Sequence, residues 1–262
     1  MRELVIIGVG ELGTLFGGGA LRVGARVTPI TRTMSAVEVL RDVAVGTPVL
    51  ISVGENALPD VLATLPAAHR DAVVLLQNEL FPSTYQAHGL TPSVLVPWVL
   101  QKRGMPTIVA RPSPIYAVAP RGPVSEGHDL SALFAQIFDA LSLAHVRLTN
   151  QQELAQALVD KYAFLLTINA LGLSTDRTLG MWLQEDAPQV WDICAEATRL
   201  GEALVAAPVD AEQARSATQE AMIALAHMPA RGRTARERVT RALGHAVRLR
   251  LSLPALARIA NS

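Results

Sequence analysis

The feature that most restricts what this chain can fold into is Gly8-Val9-Gly10-Glu11-Leu12-Gly13, which closes the short apolar run ELVII and opens a helical stretch. Each glycine of this spacing answers a separate demand. The first permits a tight strand-to-helix turn, the second lets the backbone approach a pyrophosphate, and the third allows the helix to pack close on the strand. The helix that follows points its N-terminal amides and partial positive charge at the turn, which favours an anion there. Gly8, Val9, Gly10, Glu11, Leu12 and Gly13 are therefore candidate dinucleotide contacts.

The rest of the first half supplies the context such a turn needs. Strand-like runs (ARVTPIT, TPVLISVG, DAVVLLQN) alternate with helical ones (SAVEVLRDV, ALPDVLATLPAA), followed by the extended segments SVLVPWVL, MPTIVARP and PIYAVAP and the helix LSALFAQIFDAL. Apolar runs bounded by turn residues and separated by helices predict an α/β domain, a Rossmann-type parallel sheet covered on both faces. From about Gln151 the pattern is helical only, through ELAQALVDKYAFLLTINALGL, PQVWDICAEATRLGEAL, AEQARSATQEAMIALA and ARERVTRALGHAVRLR. The expected organisation is a nucleotide-binding Rossmann domain over 1–150 and an all-α substrate domain over 151–262.

The end of the second strand bears on which dinucleotide is held. A site for NAD usually places an acid there for the ribose 2′-hydroxyl. This chain has Pro29-Ile30-Thr31-Arg32-Thr33, with no acid and one guanidinium. Arg32 clamping a 2′-phosphate would be worth about 1.5–3 kcal/mol, so NADP(H) is the expected cofactor.

Charge and composition narrow the function classes. Lys plus Arg (23) equals Asp plus Glu (23), which removes a global electrostatic case for nucleic acid or a membrane surface. Seven arginines lie between Arg231 and Arg250 against the single acid Glu237; a solvated helix face accounts for them first, with an anion site or a nucleic-acid patch as the alternatives. The lone Cys194 excludes an internal disulfide, and the scattered histidines give no zinc spacing. No signal peptide or membrane span is read, and a cytoplasmic location is expected.

Only two lysines, Lys102 and Lys161, stand among the 23 basic residues, so a lysine here is a departure from the chain's own habit. Lys161 sits in a helix that is apolar on nearly every side, as a buried helix must be. Asn169 follows eight residues later, about 12 Å along one face. An ammonium can release a proton to an alkoxide, and a guanidinium cannot. The competing reading is a lysine snorkelling at the helix start and paired with a nearby acid such as Asp160.

With these residues in view, the layout resembles the ketopantoate reductase family, within the larger group built like 6-phosphogluconate dehydrogenase. The glycine turn matches, and Arg32 falls where the family places its 2′-phosphate contact. VVLLQNE resembles the strand that ends in the family's active-site Asn, here Asn78. DKYAFLLTINALGLS resembles the family's W-x-K-L-x-x-N-x-x-x-N-x-L helix, which implies a catalytic role for Lys161 and substrate binding by Asn169 and Asn78, with Asn78 also near the cofactor. Departures are equally specific: Gly54 or Glu55 stands where a Lys is common, Leu165 replaces the helix's first Asn, and Glu79 replaces a Gly. RGRTARERVT replaces the late substrate-binding motif, with Glu237 about a turn out of register.

The resemblance implies an NADPH-dependent reductase of a small 2-oxo acid, with ketopantoate, hence pantothenate biosynthesis, as first candidate. It also allows a homodimer. A non-catalytic NADP(H)-binding sensor or degenerate paralogue is the alternative that the departures support, and no metal is expected.

Overall fold

A computed structural model of the chain describes residues 2–102, 104–111, 116–117, 130–143, 150–230, 232 and 234–260. The chain divides into two units, Met1–Leu154 and Ala155–Ser262.

The first unit begins β1 (Glu3–Ile7), α1 (Glu11–Arg22), β2 (Arg26–Ile30), α2 (Ala36–Arg41), β3 (Val49–Ile51), α3 (Leu58–Thr64), β4 (Val73–Leu75), α4 (Pro82–Gln86) and β5 (Ser93–Leu95). These five strands are parallel in the order β2-β1-β3-β4-β5, as the alternation predicts. SVLVPWVL, read as one extended segment, divides at Pro97, which cannot donate to a ladder. Its first part is β5, while β6 (Val99–Leu100) leaves to pair antiparallel with β7 (Ile108–Val109). Of PIYAVAP only Tyr116 and Ala117 lie within the described residues; they form β8, an antiparallel edge on β5. The helix α5 (Leu130–Ala140) completes the unit.

Burial explains the sheet. Leu4 to Ile7, Val49 to Ile51 and Val73 to Leu75 are buried along their whole lengths, because helices cover both faces. Leu4, Ile6, Leu50, Val74 and Leu95 form one core with Phe16 of α1 and Phe134, Ile137 and Phe138 of α5. The Phe16 and Phe138 rings lie 5.6 Å apart. The run Gly17-Gly18-Gly19 makes this packing possible at two of its positions: a Cβ on Gly17 would meet Ile6 at 3.1 Å, and one on Gly19 would meet Ile137 and Leu141 at 2.9 Å.

The second unit is helical. It contains most of α6 (Gln151–Ser174), then α7 (Leu179–Glu185), α8 (Ala187–Val205), α9 (Ala211–Ala224), α10 (Ala235–Leu249) and α11 (Pro254–Ala260). The helices α7 and α11 are seven residues each, too short for periodicity to reveal. Thr178, Asp186 and Asp210 cap α7, α8 and α9 through their side chains. The buried Glu196 of α8 accepts from the amides of Ala255 (2.8 Å) and Leu256 (2.9 Å), capping α11 from another helix. By length and hydropathy α6 is able to cross a membrane, but 78% of its apolar window is buried in the fold, as befits a core helix.

Candidate functional site

The parallel sheet brings the ends of β2, β1 and β3 side by side, with β1 in the middle. A cavity of about 680 Å³ opens over these three ends, within the range of small-molecule sites. The β1 turn supplies Gly8, Val9 and Gly10; the β2 end supplies Thr31 and Arg32; the β3 end supplies Ser52, Val53 and Gly54. One side wall is the start of α2, the other is a face of α3.

The glycines of the turn differ in what the protein itself asks of them. Gly8 has φ +95°, and a Cβ there would stand 2.6 Å from Ser52 O, so both conformation and packing require glycine. A Cβ on Gly13 would overlap the carbonyl of Gly8, which is the close helix–strand approach expected from the motif. Gly10 is different. Its φ of −84° suits any residue, and a Cβ would meet nothing within 4 Å among the described residues. No packing demand accounts for glycine there; the space lies in the cavity lining. Gly10 is also the N-cap of α1 and offers no side-chain acceptor, so α1 presents its first amides without a capping side chain.

The walls are fixed by their own bonds. Ser35 Oγ accepts from Glu38 N at 3.3 Å and starts α2, and the buried His69 Nε2 donates to Leu40 O at 2.9 Å near its other end. Arg32 is exposed and flanked by Thr31 and Thr33, whose hydroxyls are 3.1 Å apart. The expected contacts thus divide. Gly8, Val9, Gly10 and Arg32 line the cavity; Glu11, Leu12 and Gly13 form the first turn of α1 beyond it; Asn78 lies in the turn after β4 and is half-buried.

Asn78 stands next to a residue that sequence reasoning treated only as part of a resemblance. The buried Gln77 donates from Nε2 to Ile51 O at 2.9 Å and accepts from Leu76 N at 3.1 Å, tying the end of β4 to the end of β3. It thereby sets where the following turn begins.

In the second unit, Lys161 is buried on α6 with only 6% of its surface exposed. It shares a stripe with Leu165 and Ile168, at i+4 and i+7, which are less buried than their helix neighbours. Asp160 is buried too; its carboxylate accepts from Gln156 Nε2 (2.7 Å) and Gln213 Nε2 (2.9 Å). Asn169, 2% exposed, donates from Nδ2 to Leu165 O at 2.6 Å and accepts from Gly232 N at 3.2 Å. Its amide thus holds a backbone approach so close that a Cβ on Gly232 would stand 2.5 Å from Asn169 Oδ1. Arg231 and Arg233, in the segment expected to replace the family's substrate motif, lie outside the described residues.

Burial pushes the Cys194 thiol up, and it donates to Thr218 Oγ1 at 3.6 Å, so it stays protonated. Among the described residues no group of His, Cys, Asp and Glu is arranged to hold a metal.

No protein-family model matches the sequence, and no curated protein matches it either. Solved structures do. A ketopantoate reductase of the PanE/ApbA family from Ralstonia eutropha JMP134 superposes with a TM-score of 0.67 at 17% identity, over 99% of this chain and 96% of that one. The dimeric ketopantoate reductase from Staphylococcus aureus gives 0.64 at 16%, over 99% and 96%. D-mandelate dehydrogenase, solved with NADH, gives 0.65 at 12%, again over 99% and 96%. At these identities the likeness shows the fold: a Rossmann sheet domain followed by helices, as in the ketopantoate reductases.

Proposed function

We propose that the chain is an NADPH-dependent reductase of a small 2-oxo acid, with 1–150 holding the cofactor and 151–262 supplying the proton donor. The observation that carries this reading is Gly10, a glycine with open space around it at the head of an uncapped helix, in the lining of a nucleotide-sized cavity. The residues present fit a dinucleotide: main-chain amides at the β1 turn for the pyrophosphate, and Arg32 for a 2′-phosphate where no acid stands.

When bound, the reduced nicotinamide supplies a hydride to the substrate's carbonyl carbon. The chain's part is acid catalysis and orientation. Lys161 donates its Nζ proton to the carbonyl oxygen as negative charge develops there, so an alcohol is released and the lysine is reprotonated from solvent. Asn78 and Asn169 are the proposed orienting groups. Resemblance to ketopantoate reductases makes ketopantoate the first substrate to try, and pantothenate biosynthesis the first pathway. D-mandelate dehydrogenase among the structural neighbours widens the trial to other 2-oxo acids. The cytoplasmic location belongs to the same proposal, as does a homodimer, which the dimeric neighbour supports.

Two observations favour the second reading, a nucleotide-binding sensor without turnover. The Asn169 amide is engaged with backbone on both sides, and Leu165 offers no polar group where the resembling helix has one.

The test is a fluorescence titration with NADPH and NADH, followed by NADPH oxidation assays across 2-oxo acids. Arg32→Ala is expected to weaken NADPH about tenfold or more, by loss of a charge-assisted contact, and to leave NADH nearly unchanged. Failure of both nucleotides to bind would make the glycine turn structural only. Binding without turnover of any 2-oxo acid would select the sensor.

A further inference from the structure

We propose that Asp60 reads the base of the bound nucleotide: its carboxylate accepts a hydrogen bond from the exocyclic amine of a 6-aminopurine and makes the cavity selective for adenine over a 6-oxopurine. This rests on the reading of the cavity as a nucleotide site and assigns a specificity residue within it.

The α3 wall is the starting point. Ala57, Asp60, Val61 and Thr64 line the cavity, at i, i+3, i+4 and i+7, so one helix face is turned to it. The strands β2 and β3 flank β1, which sets their ends about 10 Å apart, two strand spacings. That gap admits a flat heterocycle. Its faces meet apolar side chains: Ala57 and Val61 on the α3 side, Met34 and Val37 on the α2 side. The remaining question is what the ring's polar edge meets.

The α3 edge offers acceptors and no donor. Thr64 Oγ1 donates to the carbonyls of Asp60 and Val61, both at 3.1 Å, so its proton is committed within the helix. Asp60 is exposed at the cavity, and no described residue pairs with its carboxylate. Among the lining residues it is the one carboxylate, and Arg32 is the one cation. A carboxylate accepts only, so it complements the 6-amino group of adenine and repels the 6-oxo oxygen of hypoxanthine. Discrimination by leaving a polar group opposed is stronger than discrimination by shape alone.

The experiment is a fluorescence titration of the full chain with NADPH and with its deamino analogue, in which hypoxanthine replaces adenine. The wild type is expected to bind NADPH at least about fivefold more tightly, a modest ratio because the pair is solvent-exposed. Asp60→Ala should bring the ratio to about one, and Asp60→Asn, whose amide can donate to an oxo group, should bring it to one or invert it. Arg32→Ala should weaken both cofactors and leave their ratio unchanged. Asp60 is exposed, so these variants keep the fold, checked by thermal melting. Equal or tighter binding of the deamino cofactor by the wild type, as would follow if the carboxylate took the N1–H of the oxo base, overturns the assignment and leaves the nucleotide site standing. Failure of NADPH itself to bind removes the site and the assignment together.

Discussion

At the end of β1, Gly10 has space where a side chain would be, and Arg32 and Asp60 stand exposed at the same cavity. On α6 the opposite holds. Asn169 has both ends of its amide bonded to backbone, Asp160 accepts from two glutamines, and Lys161 is 6% exposed. The first region shows demands that the folded chain leaves unmet; the second shows these three polar groups held within a core, with Thr167 Oγ1 the buried exception on α6 that has no hydrogen-bond partner among the described residues. Unmet demand leaves room for a ligand where it falls in a cavity lining, as at Gly10, and says nothing of one where it falls along a helix, as at Gly18. Satisfied demand is ambiguous, since a buried polar group must be bonded whether or not it also does chemistry.

The largest effect expected falls on that ambiguity. Lys161→Ala should lower kcat about a hundred- to ten-thousandfold, the usual worth of a positioned proton donor, with the Kd for NADPH unchanged. A variant with wild-type turnover would reduce Lys161 to a core residue and put the second region outside the mechanism. The Kd readout separates this from a general loss of fold.

Next in size is the contrast within the glycine turn. Gly13→Ala forces a Cβ onto the Gly8 carbonyl and should cost about 3 kcal/mol or more, beyond ordinary overpacking, because backbone cannot repack. Gly10→Ala meets no steric obstacle among the described residues and should cost at most about 1 kcal/mol, the loss of a glycine N-cap, while weakening NADPH at least about tenfold. If Gly10→Ala binds as the wild type does, the open space is not a ligand's, and the distinction drawn between the two regions collapses.

Asn169→Ala comes third. Removing an amide that serves Leu165 O and Gly232 N should destabilise the second unit by about 1–3 kcal/mol, the loss of two part-buried hydrogen bonds at about 0.5–1.5 kcal/mol each. Thermal denaturation measures this without any assay of turnover. A stable variant with a raised KM would instead return Asn169 to the substrate role that the resemblance implies.

These contrasts also mark what the sequence made legible. The parallel sheet was readable because its central strands β1, β3 and β4 are continuous apolar runs of the kind that only two covered faces permit, and the first glycine turn because strand, turn and helix follow one another without a gap. Pro97 splitting SVLVPWVL was visible in principle, yet the pairing of β6 with β7 depends on contacts at a distance. The α3 contribution to the cavity was not readable at all: Asp60 looks like any acid in a helix's first turn until the ends of β2, β1 and β3 are set side by side. Likewise nothing in FLLTINALG says that Asn169 faces Gly232, sixty-three residues on. Local periodicity finds elements; the partners of a polar side chain are long-range facts.

The smallest prediction uses the same reasoning on glycines with no ligand in view. Gly18 lies in the interior of α1, and a methyl added there would meet nothing within 4 Å among the described residues, whereas one on its neighbour Gly19 would press on Ile137 and Leu141 at 2.9 Å. Helix propensity favours alanine over glycine by about 1 kcal/mol at either place, and loss of unfolded-chain entropy acts in the same direction. Gly18→Ala should therefore raise stability by about 0.5–1 kcal/mol. At Gly19 the steric term opposes that gain, and the leucine and isoleucine must shift, so Gly19→Ala should lower stability by about 1–3 kcal/mol. Melting temperatures of the two variants should move in opposite directions. If both rise, α1 and α5 have slack between them, and open space around a glycine is a weaker sign than the reading of Gly10 requires.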